Sequence, residues 1–163
     1  MASSIATKTA TDTTVGMGQA VAGRTPQRMK SVLGSCVGLA LYHPRHKAGA
    51  LAHIVLPDSD GRAGLPGKFA DTAIPYMLEI LREMGVASAG LTAKFAGGAN
   101  MFGGPGPLQI GDANVEAVIE GLKSAGIRVS GKDIGGTAGR RVTFDCSSGE
   151  MLIESIGKAA LTL

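Results

Sequence analysis

Two side chains in this sequence have the types and setting for covalent chemistry at an acyl carbon. They are Cys36, in Gly34-Ser35-Cys36-Val37-Gly38, and His53, in Leu51-Ala52-His53-Ile54-Val55-Leu56. A thiol attacks as its thiolate, and with a free pKa near ~8.5 it needs a partner such as an imidazole to be useful at neutral pH. The flanking glycines free the backbone to turn sharply and to present both the sulfur and nearby amides, so Gly34 and Ser35 are the candidate oxyanion loop. Each residue alone has a plainer reading, since free cysteine is among the most buried residue types and a histidine in an apolar stretch is usually hydrogen-bonded core. Strand alternation separates the readings: Ala52, Ile54 and Leu56 share one face while His53 and Val55 share the other, which turns His53 toward Cys36 and away from the main core. Cys146 has no glycine setting, alternates with Val142 and Phe144, and reads as structural.

The elements that must position this pair follow from periodicity. Residues 32–42 and 48–56 are apolar runs around the polar turn His43-Pro44-Arg45-His46-Lys47 and read as a buried hairpin, with Cys36 near the start of one strand and His53 well along the next. Residues 57–68 are dense in turn formers and make a loop long enough to border a site. A helix follows, with Ile74, Met77, Leu78, Leu81 and Met84 at helical spacing, Asp71 or Thr72 as its cap, Pro75 tolerable only within the first turn, and Gly85 as its stop. Residues 91–96 read as a strand running into a glycine-rich loop, 97–106, and residues 112–125 as a second helix stopped by Gly126. Residues 127–130, 140–146 and 151–156 read as strands. This order departs from regular β–α alternation and predicts an α+β layered sandwich, with mixed, largely antiparallel sheets and helices packed on one side.

Composition narrows the function classes. A chain of 163 residues, 44% of them hydrophobic, can bury a core as one domain without disulfides or metal. Residues 1–14, rich in Ser, Thr and Ala, predict a loose tail ahead of a single domain over 15–163. The net charge of +3 is spread along the chain and aromatics make up only 4%, which argues against a nucleic-acid surface. The two cysteines form no disulfide framework, and no charged start leads an apolar stretch suited to secretion, so a reducing cytoplasm is expected. The apolar runs are too short to span a bilayer. No cluster of His, Cys, Asp and Glu suggests a metal, His43 and His46 lying on a polar turn. Residues 126–132 match P-loop spacing, but Asp133 stands where Ser or Thr should hold magnesium, and Arg62 stands where the glycine before Gly67-Lys68 would be needed.

The residues resemble the CheD family of chemoreceptor glutamine deamidases. The likeness rests on Leu33-Gly34-Ser35-Cys36-Val37, Ala52-His53-Ile54-Val55-Leu56-Pro57, Lys68-Phe69-Ala70-Asp71-Thr72-Ala73, Ala96-Gly97-Gly98-Ala99-Asn100-Met101-Phe102, Ile110-Gly111 with Asn114-Val115, and Asp133-Ile134-Gly135-Gly136. These blocks occur in family order over most of the chain. The resemblance implies Cys36 as nucleophile and His53 as acid and base. The third member is usually threonine, and the matching position falls on Ser31, or on Lys30 if the segment holds one more residue. Gly97, Gly98, Met101 and Phe102 fall on the loop expected to meet substrate or partner. The resemblance further implies a fold related to the catalytic domain of cytotoxic necrotizing factor toxins. It implies hydrolysis of glutamine side chains on methyl-accepting chemotaxis receptors through a cysteine thioester without a cofactor, and a CheC-type phosphatase as a second partner. The competing expectation is a binding protein that keeps the fold but regulates such a phosphatase or the receptor array without catalysis; its sequence support is Ser31.

Overall fold

The structure, a computed structural model, describes residues 11–101 and 109–163; Phe102 of the expected substrate or partner loop and the first ten residues of the expected tail lie outside them. In chain order the elements are β1 (Asp12–Thr14), β2 (Ala20–Arg24), β3 (Arg28–Leu33), β4 (Val37–His43), β5 (Ala48–Ile54) and α1 (Ala70–Glu83). There follow β6 (Thr92–Gly97), α2 (Ile110–Ala125), β7 (Arg128–Ile134), β8 (Arg140–Asp145), β9 (Met151–Glu154) and β10 (Leu161–Thr162). They form an α+β fold with two mixed sheets, in the orders β1-β3-β8-β9-β10 and β2-β5-β4-β6-β7. All neighbours pair antiparallel except β1 with β3 and β6 with β7. The parallel pair β6 and β7 needs a crossover, which α2 supplies.

Strands β4 and β5 lie inside three layers, and that explains their apolar runs. Val37, Leu39, Leu41, Ala50, Ala52 and Ile54 face both helices, packing with Ile74, Met77, Leu81, Val118 and Leu122. The opposite faces pack against the other sheet, where Ala40, Tyr42 and Leu51 meet Met29, Leu33, Val142, Phe144 and Ile153. A strand covered on both sides has no solvent face, so its sequence is nearly continuous in apolar residues. His53 is the exception within β5, and its parity assigns it to the layer between the sheets.

Three expectations are corrected. The run 32–42 is not one strand: β3 ends at Leu33 in one sheet and β4 starts at Val37 in the other, so Gly34, Ser35 and Cys36 form the crossing between sheets. An apolar run cannot reveal such a break, because Val32 and Leu33 at the end of β3 are as apolar as the buried start of β4. The stretch expected to be loose contains β1, whose Asp12 carboxylate meets Arg28 Nε at 2.8 Å and Lys30 Nζ at 3.0 Å and is held below its usual pKa by Lys30 and then Arg28. This strand is fixed by ladder pairing and exposed charges, which composition does not register. Helix α1 starts ahead of both expected caps, at Ala70 with Phe69 before it, so Pro75 is its sixth residue. Asp71 instead accepts from the amide and hydroxyl of Ser59, at 2.9 and 2.8 Å, and Thr72 Oγ1 donates to Pro66 O at 2.6 Å.

Candidate active site

His53 is built into the structure from three directions. In the β4–β5 ladder it stands opposite Gly38. Its backbone is bracketed by the turn before β2, with His53 N donating to Gln19 O and Gly18 N donating to His53 O, both at 2.9 Å. Its imidazole Nδ1 lies 3.1 Å from Val15 O. A carbonyl only accepts, so Nδ1 must carry the proton, and the neutral ring is left with a bare Nε2. That nitrogen is buried and meets no hydrogen-bond partner among the described residues.

The third position of the expected constellation is resolved in space. Ser31 is buried, and its hydroxyl donates to Val15 O at 2.7 Å. Lys30, on the opposite face of β3, pairs with Asp12. Ser31 therefore makes no hydrogen bond to His53; both donate to one carbonyl, whose two lone pairs can serve two donors. The Val15 carbonyl orients the ring, and Ser31 steadies the carbonyl. A backbone oxygen has no sequence signature, so no residue pattern could have singled out Val15.

Cys36 sits in the bend just before β4 and belongs to the buried inter-sheet layer with Leu33, Ala40, Leu51 and Ala96, the layer to which strand parity also assigns His53. Three carbonyls of this crossing are held from one side: Gly34 O accepts from Ala99 N at 3.0 Å, Ser35 O from Asn114 Nδ2 at 3.1 Å, and Cys36 O from Gly98 N at 3.0 Å. In a trans peptide the next N–H points the opposite way. The amides of Ser35 and Cys36 accordingly turn away from those partners, and with Gly34 N they meet no acceptor among the described residues.

The holding loop is supported in turn. Gly97 has φ +117°, and a Cβ there would lie 2.2 Å from Cys36 O, so only glycine lets the loop approach this closely. Gly97 O accepts from Gly135 N at 3.0 Å and from Arg140 Nη1 at 3.4 Å, while Arg140 Nε is paired to Asp133 at 2.9 Å. The Asp133–Gly136 segment thus braces Gly97 and Gly98, which brace the cysteine. Met101 covers Gly34 and is half exposed. It also lines a groove of about 720 Å³ with Val32, Arg141, Glu154 and Ile156, where the side chains of Val32 and Ile156 stand open to solvent.

Electrostatically the pair rests neutral. Burial raises the Cys36 pKa above its usual value, and burial lowers that of His53, partly offset by the Val15 hydrogen bond. Cys146 is fully buried elsewhere in the inter-sheet layer, and burial, then the Asp145 charge, push its thiol up to about 11. It is inert as a nucleophile. Asn114 is the residue whose role sequence reasoning missed. Its signal was a polar side chain on the apolar stripe of α2, beside Val115 and Val118. Among the described residues no group of three or more His, Cys, Asp or Glu could hold a metal ion, and no helix is long and apolar enough to cross a membrane.

The sequence is similar to known proteins. The family model described as CheD chemotactic sensory transduction matches residues 55–155, which takes in the bracing loops and α2 but neither Cys36 nor His53. Longer alignments take in more. The chain is 41% identical over 144 residues to a chemoreceptor glutamine deamidase CheD of Thermotoga maritima, covering 88% of this chain and 91% of that protein. It is 43% identical over 149 residues to a probable chemoreceptor glutamine deamidase CheD of Desulforamulus reducens, covering 88% and 90%. A third relative, the probable chemoreceptor glutamine deamidase CheD of Methanococcus vannielii, is 42% identical over 143 residues, covering 85% and 92%. With a family model over more than half its length and such relatives over nearly all of theirs, the chain belongs to the CheD family.

Proposed function

We propose that this protein hydrolyses the side-chain amide of glutamine residues on chemoreceptors, with Cys36 as nucleophile and His53 as acid and base. The observation that carries the reading is the state of His53: Nδ1 committed to Val15 O, and Nε2 bare, buried and unpartnered among the described residues, in the inter-sheet layer that also holds Cys36. Nε2 takes the thiol proton as Sγ attacks the glutamine Cδ, so thiolate forms only with attack and the burial of both groups is no obstacle. The oxyanion that develops is met by the free amides of Ser35 and Cys36. Collapse expels the amide nitrogen, which leaves as ammonia with the proton held at Nε2. Water, deprotonated by His53, then opens the thioester to give glutamate and the free thiol.

Access supports a side-chain amide over a main-chain one. Cys36 is only 9% exposed, which admits a slender, extended side chain more readily than a folded backbone. The groove beside Met101 gives the substrate's flanking residues an apolar edge to lie against. In this reading the chain from β1 onward acts as one catalytic domain in the cytoplasm, where the receptor segments would be met. Names of the relatives point the same way, each being called a chemoreceptor glutamine deamidase or a probable one.

The test is ammonia release from a purified chemoreceptor cytoplasmic fragment, with the modified glutamines located by mass spectrometry. Cys36→Ala and His53→Ala should each lower the rate at least about a thousandfold while the proteins stay folded. Full activity in Cys36→Ala would remove the mechanism. A wild-type protein that binds receptor or phosphatase but releases no ammonia would instead support the non-catalytic binding role.

A further inference from the structure

Asn114 is completely buried on a helix face otherwise made of Gly111, Val115, Val118 and Leu122. Burying a carboxamide is costly unless its polar atoms are paired. Its Nδ2 donates to two carbonyls, Ser35 O at 3.1 Å and Val55 O at 2.9 Å, while Oδ1 is buried without a partner among the described residues. Both partners can only accept, so the amide nitrogen must face them and the unpaired oxygen cannot be relieved by turning the group over. A leucine would suit the helix face better. What the asparagine supplies is the two donors.

The places they reach are informative. Ser35 immediately precedes Cys36, and Val55 is two residues beyond His53. The last paired residues of the β4–β5 ladder are Val37 and Ile54, so both carbonyls lie just past its end. There the two chains part, because Cys36 O turns to Gly98 N and Val55 N turns to Lys68 O at 2.8 Å. Asn114 spans this gap with one rigid group. It can do so because α2 comes down onto the loop at Gly111, where a Cβ would stand 2.4 Å from Gly98 O.

We infer that Asn114 is a positioning residue for the reaction: its carboxamide sets the distance and angle between the Cys36 crossing and the His53 strand where the ladder no longer does. The inference rests on the deamidase reading above. Displacing a reacting group by about 1 Å can cost about a hundredfold in rate, so loss of the cross-link should be felt in turnover before binding.

The experiment compares wild type with Asn114→Ser, which keeps one donor, and Asn114→Leu, which keeps the branched shape and removes both. Melting curves establish folding, kcat and KM are measured on the receptor fragment, and the pH dependence of Cys36 alkylation by iodoacetamide is followed by mass spectrometry. Expected is a fall in kcat of tenfold or more for folded Asn114→Leu with KM within about twofold, and an alkylation profile that approaches that of His53→Ala. A folded variant whose kcat stays within twofold of wild type, or whose alkylation profile is unchanged, overturns the inference. So does failure of both variants to fold, which would make the amide a requirement of stability alone. Alkylation needs no receptor, so a wild type inactive on the fragment would count against the function and leave the coupling of Asn114 to Cys36 still measurable.

Discussion

Gly97→Ala is a single-atom-group change whose effect follows from the contacts around the cysteine. A Cβ at Gly97 would lie 2.2 Å from Cys36 O and 3.2 Å from Val37 Cα, and contacts of a Cβ below 3.0 Å are essentially never seen. The neighbour is backbone, so it cannot swing aside, and the Cys36 carbonyl or Gly97 itself must shift by at least about 0.8 Å, the difference of the two distances. Alanine at φ +117° adds backbone strain of about 1–3 kcal/mol. Gly97 O is tied to Gly135 and Arg140, so much of the displacement should fall on the Cys36 side and weaken the bond from Gly98 N. A shift of this size at the nucleophile predicts a fall in kcat of about a hundredfold. Stability should fall by only a few kcal/mol, lowering Tm by about 2–4 °C for each. Ammonia release from the receptor fragment gives the first quantity and a circular dichroism melt the second. A melted protein would be uninformative about catalysis, so rates are taken well below Tm. Turnover within twofold of wild type in folded Gly97→Ala would refute the claim that this loop fixes the cysteine.

Ser31→Ala should reduce kcat by less than about tenfold and cost about 1 kcal/mol in denaturant unfolding, because Val15 O keeps its bond to His53 and loses only the hydroxyl. Loss as complete as in His53→Ala would show that Ser31 acts on the imidazole itself. Burial lowers the folded-state pKa of His53 below the ordinary value of about 6.5, so the unfolded chain binds more protons between those two pH values. Stability should therefore be unaffected by this group above about pH 6.5 and fall as pH drops through that value toward the folded pKa, an effect missing from His53→Gln when urea midpoints are compared. The same shift sets the acid limb of kcat/KM below about 6.5, and a limb above that value would contradict a neutral, buried base.

The sequence by itself determined the chemistry-bearing types and most of the elements. Glycines around Cys36 and the parity of His53 within an apolar strand singled out the pair, because side-chain direction in a strand follows from position alone. The helical stripes through Met77 and Val118 and the alternation of Val142 and Phe144 likewise came through, since each element buries one face. Tertiary structure decided what depends on which chain segments meet. It split the run around Cys36 between two sheets, fixed β1 through charges at an edge, and moved the start of α1 to Ala70. It also placed Ser31 on the same carbonyl as His53, and set Asn114 across two segments that are distant in the chain. Those partners are backbone atoms, which every residue carries alike. A sequence records which side chain can donate; only the packed layers determine which carbonyl comes within reach.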